Sequence, residues 1–324
     1  MWVEILCCLV FYKLFRLYLG DDVDDFADIN SSHSDICFAV ASRLEKLYGG
    51  KCFVGLRIPD PDSGTRQHID IVLVTKKEIL VVAVRNFSGY VQVNNDGNWS
   101  CTSDKKHKTE THPDPVLEVS GQITILQSYL EQRGASLPKG LINGRVILPN
   151  PYCIVSPSIM LQTEVLTHDK WRDLKPDSKD GNFNWVKSAF SGVKGETQDA
   201  LHQNIHFILS SSPMWDRLEL KGNRNVLGEF IEFKGHHGDM AALQSIKRSK
   251  FSRIVVQKAS LLGLGNSRTQ IVCSTRDYRS DGSSSSELKE IAVKPNTEVV
   301  FEPLNSKKPR KFKLSSIVSI SFST

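Results

Sequence analysis

The chain has 324 residues, 40% of them hydrophobic and 24% charged, with a formal net charge of +5. That is an ordinary balance for a folded soluble protein with room for one large domain or two medium ones, and it is less basic than a dedicated nucleic-acid binder. Cys7, Cys8, Cys37, Cys52, Cys101, Cys153 and Cys273 are an odd set with no Cys-x₂-Cys or Cys/His cluster, which speaks against a disulfide framework and a structural zinc site.

Residues 1–20, MWVEILCCLVFYKLFRLYLG, read as a hydrophobic N-terminal helix interrupted by Glu4, Lys13 and Arg16. The stretch has no basic start and no small-x-small cleavage site, so it reads as a membrane anchor, single-pass or lying in the interface, rather than a cleaved leader. Residues 21–31 follow as an acidic linker; Asp21, Asp22, Asp24, Asp25 and Asp28 lack the glycine and closing Glu of a calcium loop.

Ser32 to Tyr48 carries apolar residues Ile36, Val40, Leu44 and Leu47 at helical spacing, with Ser32 and Asp35 as a capping pair and Gly49-Gly50 as its stop. Residues 52–58 are strand-like, followed by a polar loop. The runs 68–74 and 79–85 are β-branched and aliphatic, separated by Thr75, Lys76, Lys77 and Glu78; this predicts two adjacent strands of a covered sheet joined by a tight turn. Asn86, Phe87, Ser88 and Gly89 then turn the chain into a strand at 90–93.

Residues 94–113 are polar and read as a solvated loop, in which Lys105 to Lys108 could meet phosphates. Asp114 and Pro115 are good first residues for a helix over 115–132, and Leu141 to Pro149 is a further strand. From 150 to 195 the pattern weakens into a long excursion anchored by Trp171, Phe183, Trp185 and Phe190. A helix at 197–211 closes the α/β unit. Residues 213–324 are β-rich, broken by glycines, and suggest a small antiparallel barrel or sandwich.

Asp70, Ala83 and Arg85 carry the chemistry worth testing. Positions 83 and 85 of one strand share a face, and a carboxylate at 70 on the neighbouring strand could reach the same spot. In this pattern the chain resembles the nuclease-related domain, a branch of the restriction-endonuclease-like superfamily. Members carry an Asp on one strand and Glu-x-Lys on the next, followed by a polar-aromatic turn and Gly. Here Asp70 matches the first position, and Ala83-Val84-Arg85-Asn86-Phe87-Ser88-Gly89 matches the second motif with Ala83 for Glu and Arg85 for Lys. Asp35 matches an acidic helix position usually held by Glu, Asp114-Pro115 stands for Asn-Pro, and Glu118 stands where Gln is common. The resemblance covers roughly residues 32–150 and implies a mixed sheet flanked by helices.

For an active relative the resemblance implies Mg²⁺ held by acidic groups, here Asp35 and Asp70, with Arg85 beside the developing charge. Ala83 offers no ligand, and Arg85 stays protonated and makes a poor base. Asp70 and Arg85 therefore read as a vestigial catalytic site with no cofactor. His68 alternates with Asp70 as a minor candidate. The intact triplets Glu219-Leu-Lys221 and Glu232-Phe-Lys234, near Asp216 and His236, read as ordinary exposed strand pairs, and Lys307 to Lys313 reads as a charged edge strand. The resulting expectation is a noncatalytic, membrane-associated scaffold that binds a protein partner. The alternatives are a divergent metal-dependent nuclease, or passive nucleic-acid binding through Lys105–Lys108 or Lys307–Lys313.

Overall fold

A computed structural model describes residues 32–102, 109–174, 195–259, 268–276, 288–294, 296–306 and 308–323. The anchor read over residues 1–20, the acidic linker, Lys105 to Lys108, and Phe183, Trp185 and Phe190 lie outside the described residues. Among the described residues no helix is long and apolar enough to cross a membrane.

The first unit is built on a five-stranded mixed sheet. Its strands are β1 (Lys51–Pro59), β2 (Arg66–Val74), β3 (Ile79–Val84), β7 (Ile142–Ile147) and β9 (Val165–Leu166), in the order β1-β2-β3-β7-β9. The first three pair antiparallel, while β7 runs parallel to both β3 and β9. Strands β2 and β3 are apolar without alternation because both faces are covered. Helix α1 (His33–Tyr48) packs Ile36, Cys37, Val40 and Leu44 against Ile71, Leu80, Val82 and Val84 on one face. On the other face α2 (Pro115–Glu131) and α5 (Gly195–Ser210) cover Val72, Val81, Ala83 and Val146. This is the mixed sheet flanked by helices that the sequence implies.

Two stretches carry more structure than their composition promises. The polar segment 94–113 contains β5 (Trp99–Thr102) and β6 (Thr109–His112), which join β4 (Gly89–Val93) and β8 (Cys153–Val155) in a four-stranded sheet. Trp99 is wholly buried there and anchors the hairpin. Within the excursion after residue 150, α3 (Pro157–Met160) and α4 (His168–Arg172) lie either side of β9, and Trp171 is wholly buried against α1. The apolar residues are too sparse to show a period; Trp99 is the largest buried side chain of the first segment, and Trp171 that of the second, beside the fully buried Ile159 and Val165.

The second unit is one eight-stranded antiparallel sheet, in the order β14-β13-β12-β17-β10-β11-β15-β16. The strands are β10 (Asp216–Leu220), β11 (Arg224–Lys234), β12 (Phe251–Ala259), β13 (Arg268–Thr275), β14 (Leu288–Val293), β15 (Glu298–Pro303), β16 (Arg310–Lys313) and β17 (Ile317–Ser321). Helix α6 (His237–Gln244) adds Leu243 to a core of its own around Ile254, Phe301 and Ile320. The antiparallel β-rich unit read from the sequence is present; of the two forms suggested, barrel or sandwich, the barrel is not closed, since no pairing joins β14 to β16 among the described residues. Strand β16 ends that run with Arg310, Lys311 and Lys313 exposed, the protective edge charges read from the sequence.

The units are stitched together at β1 and at the start of α1. Gly55 has φ +74°, a backbone conformation that favours glycine, and a Cβ there would meet Leu227 Cδ1 of the second unit at 2.9 Å. Its carbonyl accepts from the Trp215 backbone N–H at 3.0 Å, and the Arg57 N–H donates to the Pro213 carbonyl at 2.8 Å.

Candidate functional site

The register that sets Ile71 opposite Val82 and Val72 opposite Val81 brings Asp70 beside Ala83, as strand parity anticipates. Asp70 is carried inward with the strand and is 4% exposed. A carboxylate there loses several kcal/mol of solvation unless partners replace the water. Four donors do so. Oδ1 accepts from His33 Nε2 at 2.9 Å and His68 Nε2 at 3.0 Å, and Oδ2 accepts from the Val84 backbone N–H and Arg85 Nη1, each at 2.9 Å. Burial by itself would raise the Asp70 pKa. The hydrogen bonds from His33 and His68, with the positive charge at His33 and Arg85, outweigh it and hold the carboxyl well below the usual range.

Arg85 lies just past the end of β3, where its backbone N–H still donates to the Ile147 carbonyl at 3.0 Å. Its guanidinium spans two acids: Nη1 reaches Asp70, and Nη2 donates to Glu118 Oε2 from α2. Burial would lower its pKa, but the two carboxylates raise it, so the group is a fixed cation. Gln122, one helical turn after Glu118, donates from Nε2 to Glu118 Oε1 at 3.2 Å and to the His68 carbonyl at 2.9 Å. Glu118 is thus taken up by Arg85 and Gln122 and is not turned toward a metal.

His68 is oriented from the second unit. The indole N–H of Trp215 donates to His68 Nδ1 at 3.1 Å. An indole N–H cannot accept, so Nδ1 carries the lone pair and the ring proton sits on Nε2, directed at Asp70. The Arg57 guanidinium lies over the Trp215 ring, 3.9 Å from its centroid.

His33, His68 and Asp70 each present one ligand atom within 4.8 Å of the others, a spacing that a divalent metal could bridge. The proton positions oppose it, because a metal takes an imidazole lone pair and that of His68 belongs to Trp215. The hard oxygen-ligated ion implied by the resemblance fits no better: Asp70 has four donors on it, Ala83 supplies nothing, and Glu118 is occupied. Cys37 Sγ lies 3.5 Å from His33 Nε2, but burial and then the Asp70 charge push its thiol up, against a smaller opposing effect of Arg85, so it is no thiolate nucleophile.

Asp35 does not join this group. Its carboxylate completes the capping box with Ser32, as its spacing suggests, and accepts from the Asn225 backbone N–H of β11, which ties α1 to the second unit. Asp114 caps α2 through the Val116 N–H at 2.8 Å, as its sequence position suggests. Neither Glu-x-Lys triplet enters the site. Glu219 accepts from Ser319 Oγ at 2.8 Å, and Glu232 pairs with its own Lys234 at 3.0 Å. Asp216 is buried and bound by Arg248, and His236 caps α6. His33 and Trp215 were missed from sequence. His33 is one lone histidine at a helix start, and no local spacing tells that either residue meets Asp70.

The family model described as the nuclease-related domain matches residues 35–149. The span holds Asp70, Ala83, Arg85, Asp114, Pro115 and Glu118 and agrees with the resemblance read from the motifs. His33 and Trp215, which complete the cluster around Asp70, fall outside it. No curated protein and no solved structure matches the chain.

Proposed function

Taking residues 35–149 as a nuclease-related domain, we propose that the chain uses this fold as a binding scaffold and does not hydrolyse phosphodiesters. The observation that carries the reading is the saturation of Asp70: His33, His68, Val84 and Arg85 fill its lone pairs, next to a buried Ala83 that offers no second ligand. Metal-assisted cleavage needs oxygen ligands converging on an ion with open positions for substrate and water. In this cluster an arginine stands in that place and closes a bridge from Asp70 to Glu118.

A protein partner and attachment to a membrane through residues 1–20 belong to the same proposal. The apolar run Ile5 to Phe15, interrupted by Lys13, supports the attachment. The His33–His68–Asp70 spacing favours one other reading, a divergent hydrolase built on a softer divalent ion.

The test is Mg²⁺- and Mn²⁺-dependent cleavage of single- and double-stranded DNA and RNA by the full chain beside Asp70→Ala. No cleavage by either folded protein is expected. Cleavage by the natural chain that Asp70→Ala abolishes would sink the scaffold reading.

A further inference from the structure

A cavity of about 260 Å³ opens where the β1–β2 hairpin meets the second unit, and among the described residues neither Asp70 nor its hydrogen-bond partners line it. Arg57 and Arg66 enter it from the hairpin, and Arg248 and Arg276 from the second unit; among the described residues Asp216 is the single acid in its wall. The register places Arg66 opposite Pro59 and Arg57 opposite His68, so the hairpin holds both arginines on adjacent strands.

The charges in this cavity do not cancel. Arg248 pairs with Asp216, whose carboxylate also accepts backbone N–H groups of Phe230 at 2.7 Å and Ser323 at 2.9 Å. Arg57 pairs with Glu229 at 2.8 Å. Among the described residues Arg276 donates only to neutral carbonyls, Ser323 at 2.9 Å and Arg248 at 3.2 Å among them, with no carboxylate partner there. Arg66 is exposed, and its guanidinium has no carboxylate partner among the described residues. Among the described residues, two pairs and two arginines without a carboxylate partner leave a concave, positive site.

We propose that this cavity binds a small, multiply charged phosphate anion of the pyrophosphate type, free or as the tail of a nucleotide. Guanidinium groups arrayed around a hollow match tetrahedral phosphate oxygens, each of which accepts from several directions. The volume lies just below the range of about 300–1,000 Å³ for drug-sized ligands and suits a compact anion. A net charge of only +5 over the chain is a poor basis for the long counter-charged track that a nucleic-acid backbone uses. The site depends on both units, because each supplies one of these two arginines.

The test is calorimetric titration of the full chain with pyrophosphate, inorganic phosphate, ADP and a short single-stranded oligonucleotide. Arg66→Glu and Arg66→Gln are titrated beside Arg310→Glu, an equal change of charge on the exposed edge strand β16. Pyrophosphate is expected to bind at one site per chain. Its affinity should fall about tenfold or more in Arg66→Glu and less in Arg66→Gln, and hold in Arg310→Glu. ADP binding with the same Arg66 dependence marks a nucleotide tail as the source; pyrophosphate binding without ADP binding marks the free anion. The proposal is overturned by absence of pyrophosphate binding, by equal affinity in both Arg66 variants, by an equal loss in Arg310→Glu, or by binding of the oligonucleotide alone. Melting temperatures without ligand show that each variant is folded, and Arg66→Gln is decisive if Arg66→Glu is not.

Discussion

The indole N–H of Trp215 donates to Nδ1 of His68 at 3.1 Å, so a residue at the start of the second unit fixes the proton position of a ring beside Asp70. Trp215→Phe keeps an aromatic ring under Arg57 and removes the N–H donor. It is expected to cost about 1 kcal/mol in unfolding free energy. It also frees His68 to present its Nε2 lone pair. Zn²⁺ should then raise the melting temperature of the variant while leaving the natural chain unchanged, which thermal unfolding with and without Zn²⁺ checks.

Arg85→Ala removes the cation that compensates Asp70 and Glu118. A buried charge left without its partner costs about 3–5 kcal/mol. Urea unfolding should show a loss of that order, and Arg85→Lys should fall between, because one ammonium cannot fork across both acids as a guanidinium does. Adding Asp70→Asn to Arg85→Ala should cost much less than the sum of the two changes. Strict additivity would mean the pair does not interact.

The depressed pKa of Asp70 fixes a direction with pH. An unfolded aspartate titrates near about 3.9, above the folded value, so the unfolded chain takes up the proton first. The stabilisation is complete above that value and drains away as pH falls toward the folded pKa. Melting temperatures measured downward from pH 6 should therefore drop below about pH 4, and Asp70→Asn should flatten this acid limb. An unchanged limb in the variant would assign the acid sensitivity to other carboxylates.

Asp35→Ala is expected to cost about 1–2 kcal/mol through the lost cap, with a further loss from the Asn225 N–H it leaves without its acceptor. Hydrogen exchange should rise at both the start of α1 and the Arg224 end of β11. A rise confined to α1 would show that the carboxylate is a cap only.

The membrane proposal has its own readout. The full chain should float with anionic vesicles, and Ile5→Asp with Leu9→Asp should abolish flotation, since a charge at the centre of an apolar helix is costly by about 3 kcal/mol each. Equal flotation of both proteins would remove residues 1–20 from the interaction.

The fold was most legible where the hydrophobic pattern is continuous. The runs 68–74 and 79–85 suited two adjacent covered strands, and once those strands pair, the register brings Asp70 beside Ala83. Trp99 and Trp171 show the opposite case, since one fully buried tryptophan organises a polar segment without any periodic signal. Asp35 illustrates how one residue serves two readings: Ser32 three residues earlier made the cap legible, but the bond to Asn225 depends on tertiary approach. The same holds for His33 and Trp215, which reach Asp70 and His68 from far along the chain. The meaning of Arg85 was half visible, since its fixed charge was clear while the bridge to Glu118 required α2 to be in place.

The most direct measurement is Mn²⁺ binding to the full chain, followed by the paramagnetic resonance of the free ion, with Asp70→Ala and Arg85→Ala alongside. If His33, His68, Val84 and Arg85 hold the carboxylate closed, the natural chain and Asp70→Ala bind Mn²⁺ equally poorly. One tight Mn²⁺ per natural chain, lost in Asp70→Ala, would contradict that closure and reopen the hydrolytic reading.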